Sequence, residues 1–367
     1  MVLAKLNPVA ANRVYALVGV AQYLAVQQAE ATPDAPAPET VAASGSGLGT
    51  GGRSRLEADR GAVAGASAVV LAALFPAAAA ALEQRVADEA GQGPGQPHPD
   101  FATGEAVGRA VAAGIVARGQ ADGYDKPFSG TIPVGPGRWL SSAKPPAPLV
   151  ANGQLPGVTP WFLTPAERSL LLPPPPPTFG SAEYLTALEE IRHISYTRTA
   201  EQTQIAIFWA MNAGTITTPG YWNVIATDFI DQHELSEREA THVYALLNAT
   251  MFDAAIGCWT AKLTYWFIRP SQADPGIKLI PVVGLPNHPS YPSGHSCASS
   301  AAAEVLTKFF PEQQARLDPM VAEAGLARMY AGIHYRFDIV AAVALGRATA
   351  RFAIDADASG NSVLTPH

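Results

Sequence analysis

Pro292-Ser293-Gly294-His295, running directly into the small-residue stretch from Ser296 to Ala303, is the segment on which the reading of this chain turns. Pro292 sets a turn. Gly294 lets the backbone approach a ligand closely, and the Ser293 hydroxyl and nearby N–H groups can donate to oxygens. A helix starting at Ser293 or His295 adds the positive end of its dipole, which favours an anion there. His295 is then placed to exchange a proton with a bound oxygen near neutral pH. Taken alone the tetrapeptide is weak, because a proline-serine turn opening an alanine-rich helix is common.

Two further clusters lie on either side of it. Lys262 and Arg269 are seven residues apart, almost two turns if both sit on one helix, so both long side chains can reach the same oxyanion. Two such cations are ordinarily solvated surface charges, but Trp259, Tyr265, Trp266, Phe267 and Ile268 make an exposed face a poor fit. Downstream come Arg328, His334 and Asp338. The four-residue interval predicts His334 and Asp338 on one helical face, with the carboxylate orienting the imidazole, although Asp338 could instead be a structural partner of Arg336. Three clusters of cations and imidazoles among apolar runs describe a buried receptor for a tetrahedral oxyanion.

Composition agrees with a small anion as the ligand. The 367 residues carry a formal net charge of −7, so a basic pocket here is local, and a general nucleic-acid binder is excluded. Cys258 and Cys297 belong to no CxxC or zinc pattern and are either buried thiols or one bridge. His193, His233 and His242 show no metal-ligand spacing. The chain opens without a basic and then apolar leader; a periplasmic or secreted location is expected, with the leader absent from this chain, and a cytoplasmic one stays open. The uncharged run from Gly61 to Leu82 raises a membrane question. Its alanines, glycines and Pro76 fit a buried helix pair better, and no stable membrane insertion is expected.

Periodicity predicts an all-α chain. Helices are expected over Asn12 to Gln28, from Leu56 to Phe75, Ala77 to Glu89, Thr103 to Arg118, Ser181 to Ile194, and Trp222 to Ile230. Thr199 with Gln202, and Ser236 with Glu239, are capping-box starts, the second opening a helix through Tyr265. Residues 31–52 and 122–180 are expected to be irregular, and Pro173 to Pro177 to form a stiff strap whose flanks, Leu170 to Leu172 and Phe179, are buriable. Because the clusters need helices far apart in sequence, residues 1–367 are expected to form one integrated catalytic domain with 259–347 carrying the site. The alanine-rich N-terminal helices leave a homodimer open.

In the order K-x6-RP, PSGH and R-x5-H-x3-D, the three clusters resemble the family that unites type 2 phosphatidic acid phosphatases, bacterial acid phosphatases and vanadium-dependent haloperoxidases. The resemblance implies a helical bundle of the haloperoxidase and acid phosphatase type. It implies that Lys262, Arg269, Ser293, Gly294 and Arg328 bind the oxygens of vanadate, with phosphate able to occupy the same site. His334 matches the residue that ligates vanadium in a haloperoxidase or attacks phosphorus in a phosphatase, and His295 matches the acid–base histidine. One departure is Ala327, where the phosphatases usually place serine before the arginine.

Within that family the chain resembles the haloperoxidases more. It lacks the repeated membrane helices of the lipid phosphatases, and its long N-terminal half resembles the large haloperoxidases. Trp259 precedes Lys262 by three residues, as an active-site tryptophan does in fungal chloroperoxidases. His288 stands where algal bromoperoxidases have histidine and fungal chloroperoxidases phenylalanine. Asn212 matches a position that is acidic in the family, so it brings no countercharge. The expected activity is vanadate-dependent oxidation of bromide or chloride by hydrogen peroxide. The alternatives are hydrolysis of phosphomonoesters through a phosphohistidine at His334, and noncatalytic binding of phosphate or vanadate.

Overall fold

The protein, seen in a computed structural model, is described over residues 4–31, 50–92, 96–143 and 149–365. Thirteen α-helices occur among these residues. They are α1 (Pro8–Ala31), α2 (Thr50–Leu74), α3 (Ala79–Ala90), α4 (Pro99–Ala121), α5 (Pro165–Leu170), α6 (Ala182–Thr197) and α7 (Ala200–Phe208). Then follow α8 (Thr217–Gln232), α9 (Glu237–Tyr265), α10 (Pro270–Ala273), α11 (Gly294–Phe309), α12 (Gln314–Tyr330) and α13 (Arg336–Ala358). The described residues contain no strand and one isolated antiparallel bridge, between Arg138 and Phe267. The fold is all-α.

Several helix starts follow from their caps. Thr199 and Gln202 form the anticipated capping box of α7, and Ser181 caps α6 through the Tyr184 amide. Three of the helices that begin earlier than periodicity indicates have proline in the first turn: Pro8, Pro99 and, in α8, Pro219. A proline there lacks only an N–H that would have no intrahelical acceptor, so it opens a helix rather than stopping one. Asn7 supplies the cap for α1, its Oδ1 accepting from Val9 and Ala10 at 3.0 and 3.1 Å. Most of the irregular segment expected over 31–52 lies outside the described residues, and its last part, from Thr50, opens α2.

The chain divides into two compact units. One comprises residues 13–122, 225–249 and 356–367. Its signature is a close approach of α2 and α4 through glycines. A Cβ on Gly61 would lie 2.0 Å from the Phe101 carbonyl oxygen, and one on Gly104 1.8 Å from that of Ala58. Only a residue without a side chain fits there. The apolar run 61–82 is therefore no single span: α2 ends at Leu74, the chain turns at Pro76, and the glycine face of α2 is spent on α4. In the same unit Arg13 pairs with Asp122 at 2.9 Å, both buried. His242 stacks on Tyr23 and meets Asp357 at 2.8 Å, a structural niche. By length and composition α1 could cross a membrane, and its apolar stretch is mostly buried inside the protein.

The other unit, residues 1–12, 123–224 and 250–355, carries all three clusters. Its core joins Tyr184, Ile191, Phe267, Ile277, Tyr291 and Tyr335. The segment 122–180 is largely irregular, as expected, and is tied down by specific bonds. Trp139 donates to the Trp266 carbonyl at 2.8 Å and Ile268 to that of Gly137 at 3.0 Å. Asp253 of α9 accepts from the Trp161 and Phe162 amides at 2.7 and 2.8 Å. The proline strap is held by the Tyr265 and Tyr291 hydroxyls, donating to the Pro173 and Pro174 carbonyls at 2.6 Å each. Its flanks are buried only in part: Leu171 and Leu172 are half-buried, whereas Leu170 is 85% and Phe179 42% exposed.

Candidate active site

Ser293 is the N-cap of α11, so the helix starts at Gly294 and its first amides have no intrahelical acceptor. The Ser293 Oγ accepts from the Ser296 hydroxyl at 3.1 Å, and its own N–H donates to the Asp338 carbonyl at 3.0 Å. Ser293 thus spends its N–H on the fold while its hydroxyl oxygen accepts, and its hydroxyl proton and the amides of Gly294 and His295 remain for a ligand.

Arg269 and Lys262 do not share a helix. The chain leaves α9 after Tyr265, and Trp266 takes a positive φ of 51°. Arg269 then lies beyond the Arg138–Phe267 bridge as the residue before α10. Its guanidinium is fully buried and donates to the carbonyls of His288 and Ile333 at 3.0 and 2.7 Å and to His334 Nε2 at 3.0 Å. Lys262 is equally buried, its Nζ donating to the carbonyls of Pro289, Ser290 and Pro292. Three acceptors match its three protons, so Lys262 fastens the loop that leads into Ser293.

His334 and Asp338 meet, but not on one helical face. His334 precedes α13, whose first turn holds Asp338, and the chain folds the imidazole back over the helix start. His334 Nδ1 lies 2.8 Å from Asp338 Oδ2. That oxygen also accepts from the Ser290 hydroxyl at 2.6 Å and the Tyr335 amide at 3.1 Å. An acceptor at Nδ1 and a cationic donor at Nε2 assign the tautomer with hydrogen on Nδ1, leaving the Nε2 lone pair toward Arg269. Ser290 gave no signal in the sequence, because a serine between prolines reads as loop.

These groups surround a cavity of about 260 Å³ whose lining includes Trp259, His288, Gly294, His295, Arg328, His334 and Asn212. Lys262, Arg269, Ser293 and Asp338 stand behind that lining. The Trp259 ring lies 5.0 Å from that of His288, and its Nε1 is fixed by the Ala151 carbonyl at 2.9 Å. Asn212 is at the rim, its amide 3.4 Å from the Val283 carbonyl. Cys258 and Cys297 are buried free thiols in mutual hydrogen-bond contact, so the open choice resolves to thiols.

Electrostatically the cavity is short of negative charge. Burial pushes Lys262 down to about 8, Arg269 to about 10 and Arg328 to about 9. Burial, then the Arg328 charge, pushes His295 down to about 3, and burial with Arg269 and Lys262 holds His334 well below the usual histidine range. Burial raises Asp338 to about 6, against the Ser290 hydrogen bond and nearby cations. Arg328 Nε and His295 Nε2 are buried without partners, while the His295 ring is held by the Trp209 and Ala210 carbonyls. The orphaned Arg328 Nε–H beside a helix start, with His295 Nε2 left free to take up a proton, fits a tetrahedral oxyanion such as vanadate or phosphate.

Comparison with known proteins meets this geometry from three directions. The PAP2 superfamily profile matches residues 241–357. A non-specific acid phosphatase of Providencia stuartii is 30% identical over 181 residues, covering 47% of this chain and 69% of that one. The crystal structure of a bacterial vanadium-dependent iodoperoxidase aligns with 97% of this chain and 92% of its own at a TM-score of 0.75 and 25% identity. A bacterial vanadium-dependent chloroperoxidase in its holo form shares the fold at a TM-score of 0.72 and 15% identity over 98% and 94% of the two chains. The span of the family profile is the one that carries Lys262 through Asp338, so sequence likeness and the buried cation cluster fall on the same residues, and the chain is an enzyme of the PAP2 superfamily with the helical fold of the vanadium haloperoxidases.

Proposed function

We propose that the protein is a vanadate-dependent haloperoxidase, oxidising bromide or chloride with hydrogen peroxide to a hypohalous-acid-like product. The observation that carries this reading is the extent of the likeness. The iodoperoxidase structure aligns with 97% of this chain and 92% of its own, at a TM-score of 0.75. Trp259 and His288, paired in the lining, add an aromatic wall that hydrolysis of a phosphate ester does not require.

Bound vanadate would supply Lewis-acid activation of hydrogen peroxide toward halide. The chain's own part is electrostatic and acid–base. Arg269, Arg328 and the α11 amides would hold the oxyanion, and His334 Nε2 would turn its lone pair from Arg269 to the bound group. Asp338 keeps that lone pair available by accepting from Nδ1. Halide, peroxide and one proton give hypohalous acid and water. His295 Nε2, raised in basicity once an anion offsets Arg328, is the atom placed to deliver that proton.

The 30% identity to an acid phosphatase favours one second reading. There His334 Nε2 would attack phosphorus, His295 would protonate the leaving oxygen, and water would then hydrolyse the phosphohistidine. Paired turnover separates the two: halide oxidation with peroxide and orthovanadate, and release of a chromogenic alcohol from a phosphomonoester without vanadate. Vanadate-dependent halide oxidation lost in His334→Ala supports the first reading. Vanadate-inhibited phosphate release without halide oxidation replaces it with the second.

A further inference from the structure

Two carbonyls decide which nitrogen of His295 is free. Those of Trp209 and Ala210, just past the end of α7, accept from its ring, and Nε2 is the nitrogen left without a partner. A carbonyl only accepts, so hydrogen sits on Nδ1 and the Nε2 lone pair stays available. The last turn of α7 gives the site a third carbonyl, that of Ala206, which takes the Arg328 guanidinium at 2.9 Å. The negative end of one helix therefore anchors two residues of the cavity lining, where Asn212 brings no countercharge.

What holds that helix end lies outside the described lining. Directly after Ala210 the chain turns through Met211 at a φ of 39°, a conformation that a residue other than glycine keeps only where its surroundings impose it. One restraint is the Trp209 indole, 1% exposed, whose Nε1 donates to the Glu323 carboxylate at 2.8 Å. The rings of Phe208 and Tyr221 meet the same indole at near right angles, with centroids 5.5 and 5.6 Å away. Glu323 sits on α12, which also carries Arg328, so the bond clips the end of α7 to the arginine's own helix. We propose that Trp209 and Glu323 are positioning residues for His295: the bond between indole and carboxylate fixes the end of α7 and, through its carbonyls, the tautomer and direction of the imidazole. Without the clip the Met211 turn relaxes and the carbonyls leave Nδ1. Hydrogen then divides between the two ring nitrogens, and Nε2 is no longer reserved for the bound anion. The consequence for turnover rests on the proton-delivering role given to His295 above; the tautomer does not.

The test is the imidazole nitrogen NMR signature of His295 at neutral pH in the anion-free protein, identified by its loss in His295→Gln. The wild type is expected to show one tautomer, with hydrogen on Nδ1. Glu323→Ala and Trp209→Phe are expected to move both ring nitrogens toward the average of two tautomers and to weaken sulfate roughly three- to tenfold, the worth of a hydrogen bond. Glu323→Gln keeps an acceptor oxygen and is expected to restore the wild-type signature, which a purely structural loss of packing would not explain. An unmixed Nδ1–H signature in Glu323→Ala, or a mixed one in the wild type, overturns the proposal. Glu323 is exposed, so its variants decide the matter even if Trp209→Phe does not fold. Peroxide-dependent bromide oxidation by the wild type decides the haloperoxidase reading separately.

Discussion

Asp338 Oδ2 lies 2.8 Å from His334 Nδ1 and accepts two more hydrogen bonds, while Asp338 Oδ1 is buried without a partner. The carboxylate is therefore committed on one oxygen, and its task is to fix one imidazole. Asp338→Asn can present an N–H to Nδ1, which favours the other tautomer and blocks Nε2. Such losses typically cost 10- to 100-fold in affinity or activity. Orthovanadate affinity and turnover are expected to fall together by about that factor, and by less in Ser290→Ala, which removes only one of the three donors.

Among the described residues Arg328 is held by one bond, to the Ala206 carbonyl at 2.9 Å, and its buried charge has no carboxylate partner. Removing an uncompensated buried charge stabilises a fold even where function needs it. Arg328→Met is expected to lower oxyanion affinity more than tenfold while raising the melting temperature of the anion-free protein, on the order of 2 °C per kcal/mol recovered. A fall in melting temperature would show that the arginine is a structural strut.

The depressed histidines set a pH dependence. His295, at about 3 without an anion, is neutral over the working range, and a bound anion raises its proton affinity. The complex then holds more protons than the free protein, so affinity must rise as pH falls. With sulfate, whose own charge stays fixed, binding measured calorimetrically is expected to tighten below about pH 6.5, by at most about tenfold per unit for one proton. His295→Gln should flatten that slope. The anion-free protein should also lose stability as pH falls from about 6.5, because the unfolded chain takes up protons that buried His295 and His334 refuse; Asp338, raised to about 6, opposes this between roughly 4 and 6.

In the α2–α4 pair the glycines are unequal. A Cβ at Gly104 would lie 1.8 Å from a carbonyl oxygen, whereas one at Gly114, on the same helix, meets nothing within 4 Å. Gly104→Ala is expected to cost about 3 kcal/mol or more, and Gly114→Ala to gain roughly 0.5–1 kcal/mol. Denaturant melts of the two variants check the sign of each.

What the sequence disclosed divides along the same physical line. The clusters are legible because buried cations are rare and their residue types are tied to their chemistry, so Arg328, His334 and His295 could be placed in one receptor from the three clusters together and the family they resemble. Geometry between elements was not legible. Lys262 and Arg269 look like one helical face, yet the backbone breaks at Trp266, and nothing in their spacing reveals that Lys262 would be consumed by three carbonyls. His334 and Asp338 meet through a helix start instead of across a helix, which the same four-residue interval permits. Ser290 is an ordinary residue type whose importance lies in its buried bond to Asp338.

The first twelve residues supply cavity wall through Asn7, Pro8, Val9 and Asn12, while the family profile begins at residue 241. The reactive groups and much of the enclosing wall are thus written in separate parts of the gene. Substitutions in the early segment can alter what the cavity admits while leaving the reactive groups untouched, so a lineage can reshape the cavity without rebuilding its chemistry. For the same reason, swapping the first dozen residues between relatives is a compact way to transplant selectivity.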